Sequence, residues 1–253
     1  MLRQHGHALQ GFLENSWCFN ATLERMNNHF SMLLSRLSWT RRLLVLLTAL
    51  TLICIIPIGD ALKGNRSITS HEMMILGHFH NAPDLLLAIS TVIGRVFSIA
   101  GTALIVSVFL FYLIWTEHGW VQPVRGAIIA VTPMMVTLVV KLVVNRNRPG
   151  TPLGSLASDP SFPSGHVTAS TSCVALLFLI LQVRHVREPP RRHRCFLRLA
   201  TVVILTLIPV LTAVSRLILG VHYPSDVVAS LILNALLAAS LGVISQHWTM
   251  ETS

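Results

Sequence analysis

Long uninterrupted runs of apolar residues dominate the chain between positions 43 and 244. Each run has roughly the 20 residues that an α-helix needs to cross a hydrocarbon core of about 30 Å. The breaks between them are rich in charged residues, proline or glycine, as is typical of loops at a membrane surface. The pattern predicts an all-α fold, a bundle of six transmembrane helices. The predicted spans are 43–62, 96–115, 127–144, 167–183, 199–219 and 227–244.

Two other stretches have a different pattern. Segment 70–94 is apolar but interrupted by histidine, glutamate, asparagine and aspartate, which predicts an amphipathic segment at the membrane interface. The first ~35 residues mix polar and aromatic side chains with a few charges and lack the order of a cleavable signal peptide. We therefore divide the chain into an amphipathic cytoplasmic tail at 1–40, a membrane domain at 41–246 and a short cytoplasmic tail at 247–253.

The composition supports a membrane protein, because 53% of the residues are hydrophobic and only 11% are charged, against about 25% in soluble domains. The net charge of +9 comes from basic residues between apolar runs, without an aromatic-interleaved motif for nucleic acid. Arginines precede the first span and crowd the fourth connection, which predicts that both are cytoplasmic. Both termini are then inside, and the loops after the first, third and fifth spans face out. These arginines are Arg36, Arg41, Arg42, Arg184, Arg187, Arg191, Arg192, Arg194 and Arg198.

Neither a metal nor another cofactor is predicted. The four cysteines have no CxxC spacing, so neither a zinc site nor a disulfide framework is indicated. His78 and His80 supply only two ligands on a surface segment, too few for a metal site. The ten acidic residues form no cluster with the spacing of carboxylate ligands.

Three polar segments fall on the predicted outer face: 141–149, 162–166 and 215–226. Basic residues in an outer loop run against the positive-inside bias, which suggests another use for them. Lys141, Arg148 and Arg216 can converge on one anion, and the planar donor fork of arginine matches phosphate oxygens. Ser164 and Gly165 precede the fourth span, where free backbone N–H groups at a helix start can bind an anion.

Two histidines and an aspartate add proton-transfer chemistry to these segments. His166 and His222 have unperturbed pKa values of about 6.5, which suits acid–base or nucleophilic work. Asp226 lies four residues after His222, so a turn can bring its carboxylate to the imidazole and fix the tautomer. Alternatively, the lysine snorkels, the arginines bind headgroups and the histidines are bystanders. Because charges in spans are costly, their gathering on one face favours a functional site.

These segments resemble the three-part signature of the type 2 phosphatidic acid phosphatase superfamily, K-x6-R-P, P-S-G-H and S-R-x5-H-x3-D. Every signature position matches. The resemblance implies that residues 41–246 are a membrane phosphatase domain. It also implies roles: Lys141, Arg148 and Arg216 bind phosphate, Ser164 and Gly165 help to hold it, His166 is the acid/base, His222 the nucleophile and Asp226 its partner. Asn145 and Arg146, inside the first motif, either touch substrate or solvate the loop.

The expected function is metal-independent hydrolysis of a lipid phosphate or diphosphate through a phosphohistidine. Polyprenyl diphosphate, phosphatidate and phosphatidylglycerophosphate are all candidate substrates. A lipid phosphotransferase is the alternative, since another acceptor can replace water. A transporter would use the same cations but would not explain the pairing of His222 with Asp226. The expected location is the cell membrane, with the site facing out; the partners are the lipid substrate and the bilayer, with no nucleic acid, and the oligomeric state is left open.

Overall fold

The computed structural model describes residues 38–79, 81–117, 119–151, 158–186 and 192–250. All contacts reported below lie within the compact unit Val45–Ser253. The described residues form eight helices: α1 (Trp39–Gly64), α2 (Arg66–Gly77), α3 (Asp84–Val96), α4 (Ile99–Thr116), α5 (Val121–Val144), α6 (Gly165–Val186), α7 (Arg192–Ile218) and α8 (Pro224–Met250).

Six helices are long and apolar enough to cross a membrane, so the prediction of six spans in an all-α fold is confirmed. They are Trp39–Gly64, Ile99–Thr116, Val121–Val144, Gly165–Arg184, Thr201–Ile218 and Pro224–Ser245. The tail at 1–37, His80 and the centre of the arginine-rich fourth connection lie outside the described residues.

The helices pack around α6, which contacts α4, α5, α7 and α8. Small polar side chains interlock in this interior: Thr168 Oγ1 lies 2.9 Å from Thr137 Oγ1 on α5 and accepts a 2.9 Å hydrogen bond from Asn234 on α8. Small hydroxyl residues allow close approach of helices and supply hydrogen bonds where lipid offers none. Large apolar side chains such as Ile99 and Leu142 are exposed on the outside, as a lipid-facing surface requires.

Helix α1 packs against α5 and α8. Thr48 and Ser240 share a 2.7 Å hydrogen bond, and Ile55 joins an apolar cluster with Val140 and Leu233. Lys63, in the last turn of α1, donates a 2.9 Å hydrogen bond to the carbonyl of Val144, the last residue of α5. A cation there satisfies an otherwise free carbonyl and offsets the negative end of the helix dipole.

Segment 70–94, predicted as one interfacial stretch, is divided between α2 and α3. The Asn65 side chain caps α2 by accepting from Ile68 N at 3.0 Å. Helix α2 contacts α8, and α3 packs along α7. Both short helices thereby contribute groups to the same end of the bundle as the three polar segments.

Candidate active site

The end of α5 directs two arginines into the site. Asn145 has a φ of 47° and a left-handed conformation, which few residues other than glycine adopt readily. Its N–H bonds the Lys141 carbonyl and ends the helix. Beyond it, Arg146 and Arg148 turn inward, whereas Asn147 between them is exposed. Side chains two residues apart share one side of an extended chain.

Lys141 and Arg148 are bridged by a carboxylate that no motif contains. Lys141 Nζ donates to Asp159 Oδ2 at 2.7 Å, and Arg148 Nη2 donates to Asp159 Oδ1 at 2.7 Å. Burial would raise the pKa of Asp159, but its contacts with Lys141 and Arg148 outweigh burial and lower that pKa to about 2. Asp159 is therefore anionic at neutral pH, and its two oxygens contact two of the cations predicted to bind phosphate.

His222 is fully buried between these cations and Asp226. Arg148 Nη1 lies 3.2 Å from His222 Nε2. Because a guanidinium only donates, Nε2 must be the acceptor, and we infer that the ring proton is on Nδ1. Burial, which Asp226 only partly offsets, lowers the pKa of His222 to about 4, and Arg148 and Lys141 act in the same direction. The imidazole is then neutral at pH 7 with its Nε2 lone pair facing the cations.

Asp226 is buried in the first turn of α8, where a carboxylate also suits the helix dipole. Its Oδ2 accepts from Tyr223 N at 2.9 Å and lies 3.5 Å from His222 Nδ1. That distance is long for a hydrogen bond, and His222 Nδ1 has no hydrogen-bond partner in the described part of the chain. Such contacts often shorten when substrate binds.

Arg146, whose role the sequence left open, pairs with Asp226. Its Nη1 donates to Asp226 Oδ1 at 2.7 Å, and its Nη2 donates to Glu72 Oε2 at 2.6 Å. All three side chains are buried, with 8% exposure or less. Sequence reasoning missed Glu72, whose one distinguishing mark in the sequence is that it is the single acidic residue of α2.

The start of α6 lies beside the same cations. A Cβ on Gly165 would lie 3.6 Å from Lys141 Cε, so this glycine is adjacent to the lysine side chain. Ser164 is completely buried, and its Oγ has no hydrogen-bond partner among the described residues. His166 is partly exposed and close enough to Arg216 and His222 for their charges to act on it. The site thus contains an unpaired but buried hydroxyl and a partly accessible imidazole.

Arg216 is held by helix α3, a second contribution that the sequence did not indicate. Its Nη2 donates to Ser90 O at 2.6 Å, and its Nε donates to Ser215 Oγ at 3.2 Å. A Cβ on Gly94 would come within 2.6 Å of both Nη atoms, so only glycine leaves room for this guanidinium. The sequence carried no signal for this contact, because Ser90 takes part through its backbone carbonyl.

The structure thus brings the predicted residues to one end of the bundle, together with Glu72, Asp159, Ser90 and Gly94. The arrangement combines a neutral imidazole, a second imidazole and three cations, which is suited to displacement at an anionic, phosphate-like centre. Within the described residues, no group of three or more His, Cys, Asp or Glu side chains is arranged to hold a metal ion.

The chain is similar to a known superfamily and to known phosphatases. The model of the PAP2 superfamily matches residues 123–250. A decaprenylphosphoryl-5-phosphoribose phosphatase from Mycolicibacterium smegmatis is 35% identical over 44% of this chain and 52% of the relative. Its counterpart from Mycobacterium tuberculosis is 32% identical over 49% of this chain and 59% of the relative. The chain thus spans little more than half the length of these curated relatives.

A solved structure has the same fold. It is a transmembrane PAP2-type phosphatidylglycerolphosphate phosphatase from Bacillus subtilis, which superposes with a TM-score of 0.65 over 78% of this chain and 96% of that one. At 20% sequence identity the similarity establishes the fold alone.

Proposed function

Since this chain belongs to the PAP2 superfamily, we propose that it is a membrane phosphatase that hydrolyses a lipid phosphate or diphosphate, with His222 as nucleophile. One observation carries the proposal: the Nε2 lone pair of a buried, neutral His222 faces Arg148, while Nδ1 faces Asp226. An imidazole oriented in this way can attack phosphorus with one nitrogen and be stabilised through the other.

The reaction proceeds in two steps. His222 Nε2 attacks phosphorus, the bond to the leaving oxygen breaks, and His166 gives its proton to that oxygen. His166 then removes a proton from water, whose oxygen attacks the phosphohistidine and releases phosphate with Nε2 free again. Lys141, Arg148 and Arg216 bind the phosphate oxygens and balance the charge that develops on them. We expect chelators to leave turnover unchanged, because these three cations fill the role of a metal clamp.

Substrate binding requires two exchanges of contacts. Asp159 must release Lys141 and Arg148, and Arg148 Nη1 must leave His222 Nε2 for a phosphate oxygen. Asp159 can move at little cost because its side chain is 57% exposed. The Asp159 carboxylate therefore balances the charge of the two cations until a phosphate replaces it.

A lipid-borne phosphate fits the position of the site. Lys141, His166 and Asp226 lie at the ends of the spanning helices α5, α6 and α8, where a headgroup meets its acyl or prenyl chain. The named activities of the curated relatives point to polyprenyl phosphates, and that of the solved neighbour to a glycerolipid phosphate. Both classes, with phosphatidate and polyprenyl diphosphate, belong in the substrate panel.

The primary experiment measures phosphate release from that panel by the purified protein in detergent, with His222→Ala as the matched inactive variant. We expect phosphate from at least one lipid, unaffected by EDTA, and acid-labile phosphate bound to the wild-type protein only. If no lipid is hydrolysed, or if His222→Ala keeps activity, the proposal is wrong. If phosphate appears on an alcohol acceptor rather than free, the protein is a phosphotransferase.

The arginine distribution supports an orientation with both termini cytoplasmic and the site facing out of the cell. In a cysteine-free background, we expect an impermeant maleimide to label Ser158→Cys in intact cells. Ser38→Cys should remain unlabelled until the cells are opened. Both positions are exposed, so accessibility within the protein does not bias the result. The reverse pattern would place the site on the cytoplasmic side.

A further inference from the structure

Behind His222, the described residues form a buried chain of alternating charges. Asp226 lies next to the imidazole, Arg146 bonds Asp226, and Glu72 bonds Arg146, with N–O distances of 2.7 and 2.6 Å. Arg146 Nη1 also donates to Ser225 Oγ at 2.7 Å, and its guanidinium stacks 4.1 Å from the Tyr223 ring centre. A buried guanidinium with this many partners has no freedom to turn toward a substrate.

Glu72 connects a separate part of the chain to this group. It is on α2, before the segment 123–250 that the family model matches. Its Oε1 accepts from Ser225 N at 2.8 Å, at the start of α8. One carboxylate therefore satisfies a free N–H of α8 and fixes Arg146 at the same time.

The charges of this buried group of three side chains explain why a second carboxylate is needed. With neutral His222, the group formed by Asp226, Arg146 and Glu72 has a net charge of −1. When His222 becomes phosphorylated at Nε2 and keeps its Nδ1 proton, the ring gains a positive charge and the sum becomes zero. Without Glu72, Arg146 would cancel Asp226, and the phosphorylated ring would carry an unbalanced buried charge, which is unfavourable.

We propose that Glu72 is a positioning residue that, through Arg146, keeps Asp226 oriented and electrostatically available to His222. The inference rests on the proposed function. Its consequence is that a residue of α2, which touches no reacting atom, controls both the rate and the pH range of the reaction.

Several charged groups act on His222, and all but one lower its pKa. Lys141 on α5 and Arg148 in the loop after α5 lower it, while Asp226 on α8 raises it. His166 on α6 also lies close enough to His222 for the two charges to interact. Removing the charge of Glu72 strengthens the hold of Arg146 on Asp226. His222 is then protonated only at lower pH, so the acidic limb of kcat/KM moves to lower pH.

The test compares Glu72→Gln with Asp84→Asn, which removes an exposed carboxylate near the start of α3. For Glu72→Gln we expect a fall in kcat of roughly 10- to 100-fold, the range seen when the hydrogen-bond partners that orient metal-binding histidines are lost. KM should change little, and the acidic limb should move to lower pH. Asp84→Asn should match the wild type. Glu72→Asp keeps the charge, so its acidic limb should lie at the wild-type pH even if its kcat is only partly recovered.

The double variant Glu72→Gln/Arg146→Gln separates charge from structure. It removes both buried charges, restores a net charge of −1 on Asp226 and leaves two amides that can bond each other. We expect its acidic limb to return toward the wild-type position, opposite to the shift of Glu72→Gln. If activity falls only in proportion to folded protein, or if the limb stays fixed in all variants, Glu72 is merely structural and the inference is wrong.

A readout without turnover keeps this inference separate from the proposed function. In protein labelled with ¹⁵N-histidine, the ring of His222 can be assigned by its absence from His222→Gln and titrated in detergent. Glu72→Gln should lower its titration midpoint, and Asp84→Asn should not. If the wild type hydrolyses no lipid but Glu72→Gln still lowers the midpoint, only the proposed function is contradicted. If the wild type hydrolyses lipid but Glu72→Gln leaves the midpoint unchanged, the role of Glu72 is contradicted.

Discussion

The contacts on the two sides of His222 differ in burial and in how their charges are matched. The paired side consists of Asp226, Arg146 and Glu72, which are almost completely inaccessible to solvent. The open side consists of Lys141, Arg148 and Asp159, where the carboxylate is 57% exposed. Buried ions held by several short contacts exchange partners only at high cost, but a contact to an exposed carboxylate is weak and easily replaced.

The difference indicates a division of labour. The paired side sets the orientation and charge of the imidazole before any ligand arrives, which is preorganisation in the sense that lowers reaction barriers. The open side keeps its cations near their working positions with an internal anion that a phosphate displaces. Substitutions on the paired side should therefore affect mainly kcat, and those on the open side should affect mainly the binding of anions.

Asp226→Asn breaks the paired side and should have the largest effect. The amide preserves shape but loses the charge that orients His222 and stabilises its cationic form. We expect kcat to fall by roughly 10³- to 10⁴-fold, as when the carboxylate of a Ser-His-Asp triad is neutralised. Steady-state kinetics on the best lipid, with Asp84→Asn as control, provide the measurement. Turnover near the wild-type value would remove Asp226 from the mechanism.

His166→Ala tests whether the two sides cooperate through a second imidazole. With a lipid alkoxide as leaving group we expect turnover to fall by about 10³-fold, within the range for loss of an acid–base group. An aryl phosphate with a good leaving group needs little protonation, so His222 should still be phosphorylated.

The expected record for His166→Ala with that aryl phosphate is a phenol burst of about one equivalent per site, followed by slow turnover and acid-labile bound phosphate. His71→Ala, an exposed histidine on α2, should behave as wild type. No burst despite normal vanadate binding would mean that His166 acts before the P–O bond breaks. A burst in His222→Ala would mean that the nucleophile is another residue.

Arg148→Lys alters the open side without changing its charge. Lysine cannot contact two oxygens at once and also reach Nε2 of His222. We expect kcat/KM to fall by roughly 100-fold, similar to the loss of one donor to a developing anion. Arg95→Lys, at an exposed position of α3, is the matched control. An unchanged kcat/KM would show that charge alone suffices on this side.

Asp159→Asn should have the smallest effect, and it should strengthen the binding of anions rather than weaken it. Removing the internal anion frees Lys141 and Arg148, so inhibition by phosphate or vanadate should become stronger, by up to about fivefold for an exposed pair. The lowered pKa of Asp159 also means that its contacts stabilise the fold above about pH 4, and that this contribution is lost as the pH falls toward 2. Weaker inhibition in Asp159→Asn would show that the carboxylate organises the cations rather than competing for them.

Much of this architecture could be predicted from the sequence because the dominant signal is local. Apolar runs long enough for a bilayer determine the six spans, and the end of α5 and the start of α8 fall within a few residues of the predicted bounds. The residues of the three motifs come together because helix ends at one membrane face meet there.

The residues that support the motifs could not be predicted, because their roles depend on contacts distant in sequence. Glu72 meets Arg146 across 74 positions, and Arg216 meets Ser90 across 126. Helical periodicity gives no information on which helices become neighbours. Asp159 lies next to a motif, yet its place between Lys141 and Arg148 depends on the path of the loop before α6.

The left-handed turn at Asn145 has a consequence for the permitted length of the chain at this point. It sets a register in which Arg146 meets Asp226 and Arg148 meets His222, with Asn147 facing out. Inserting or deleting one residue between 145 and 148 would present Asn147 to the site and turn an arginine away from it. Both sides of His222 would then fail together, so this short stretch should tolerate many changes of side chain at position 147 but none of length.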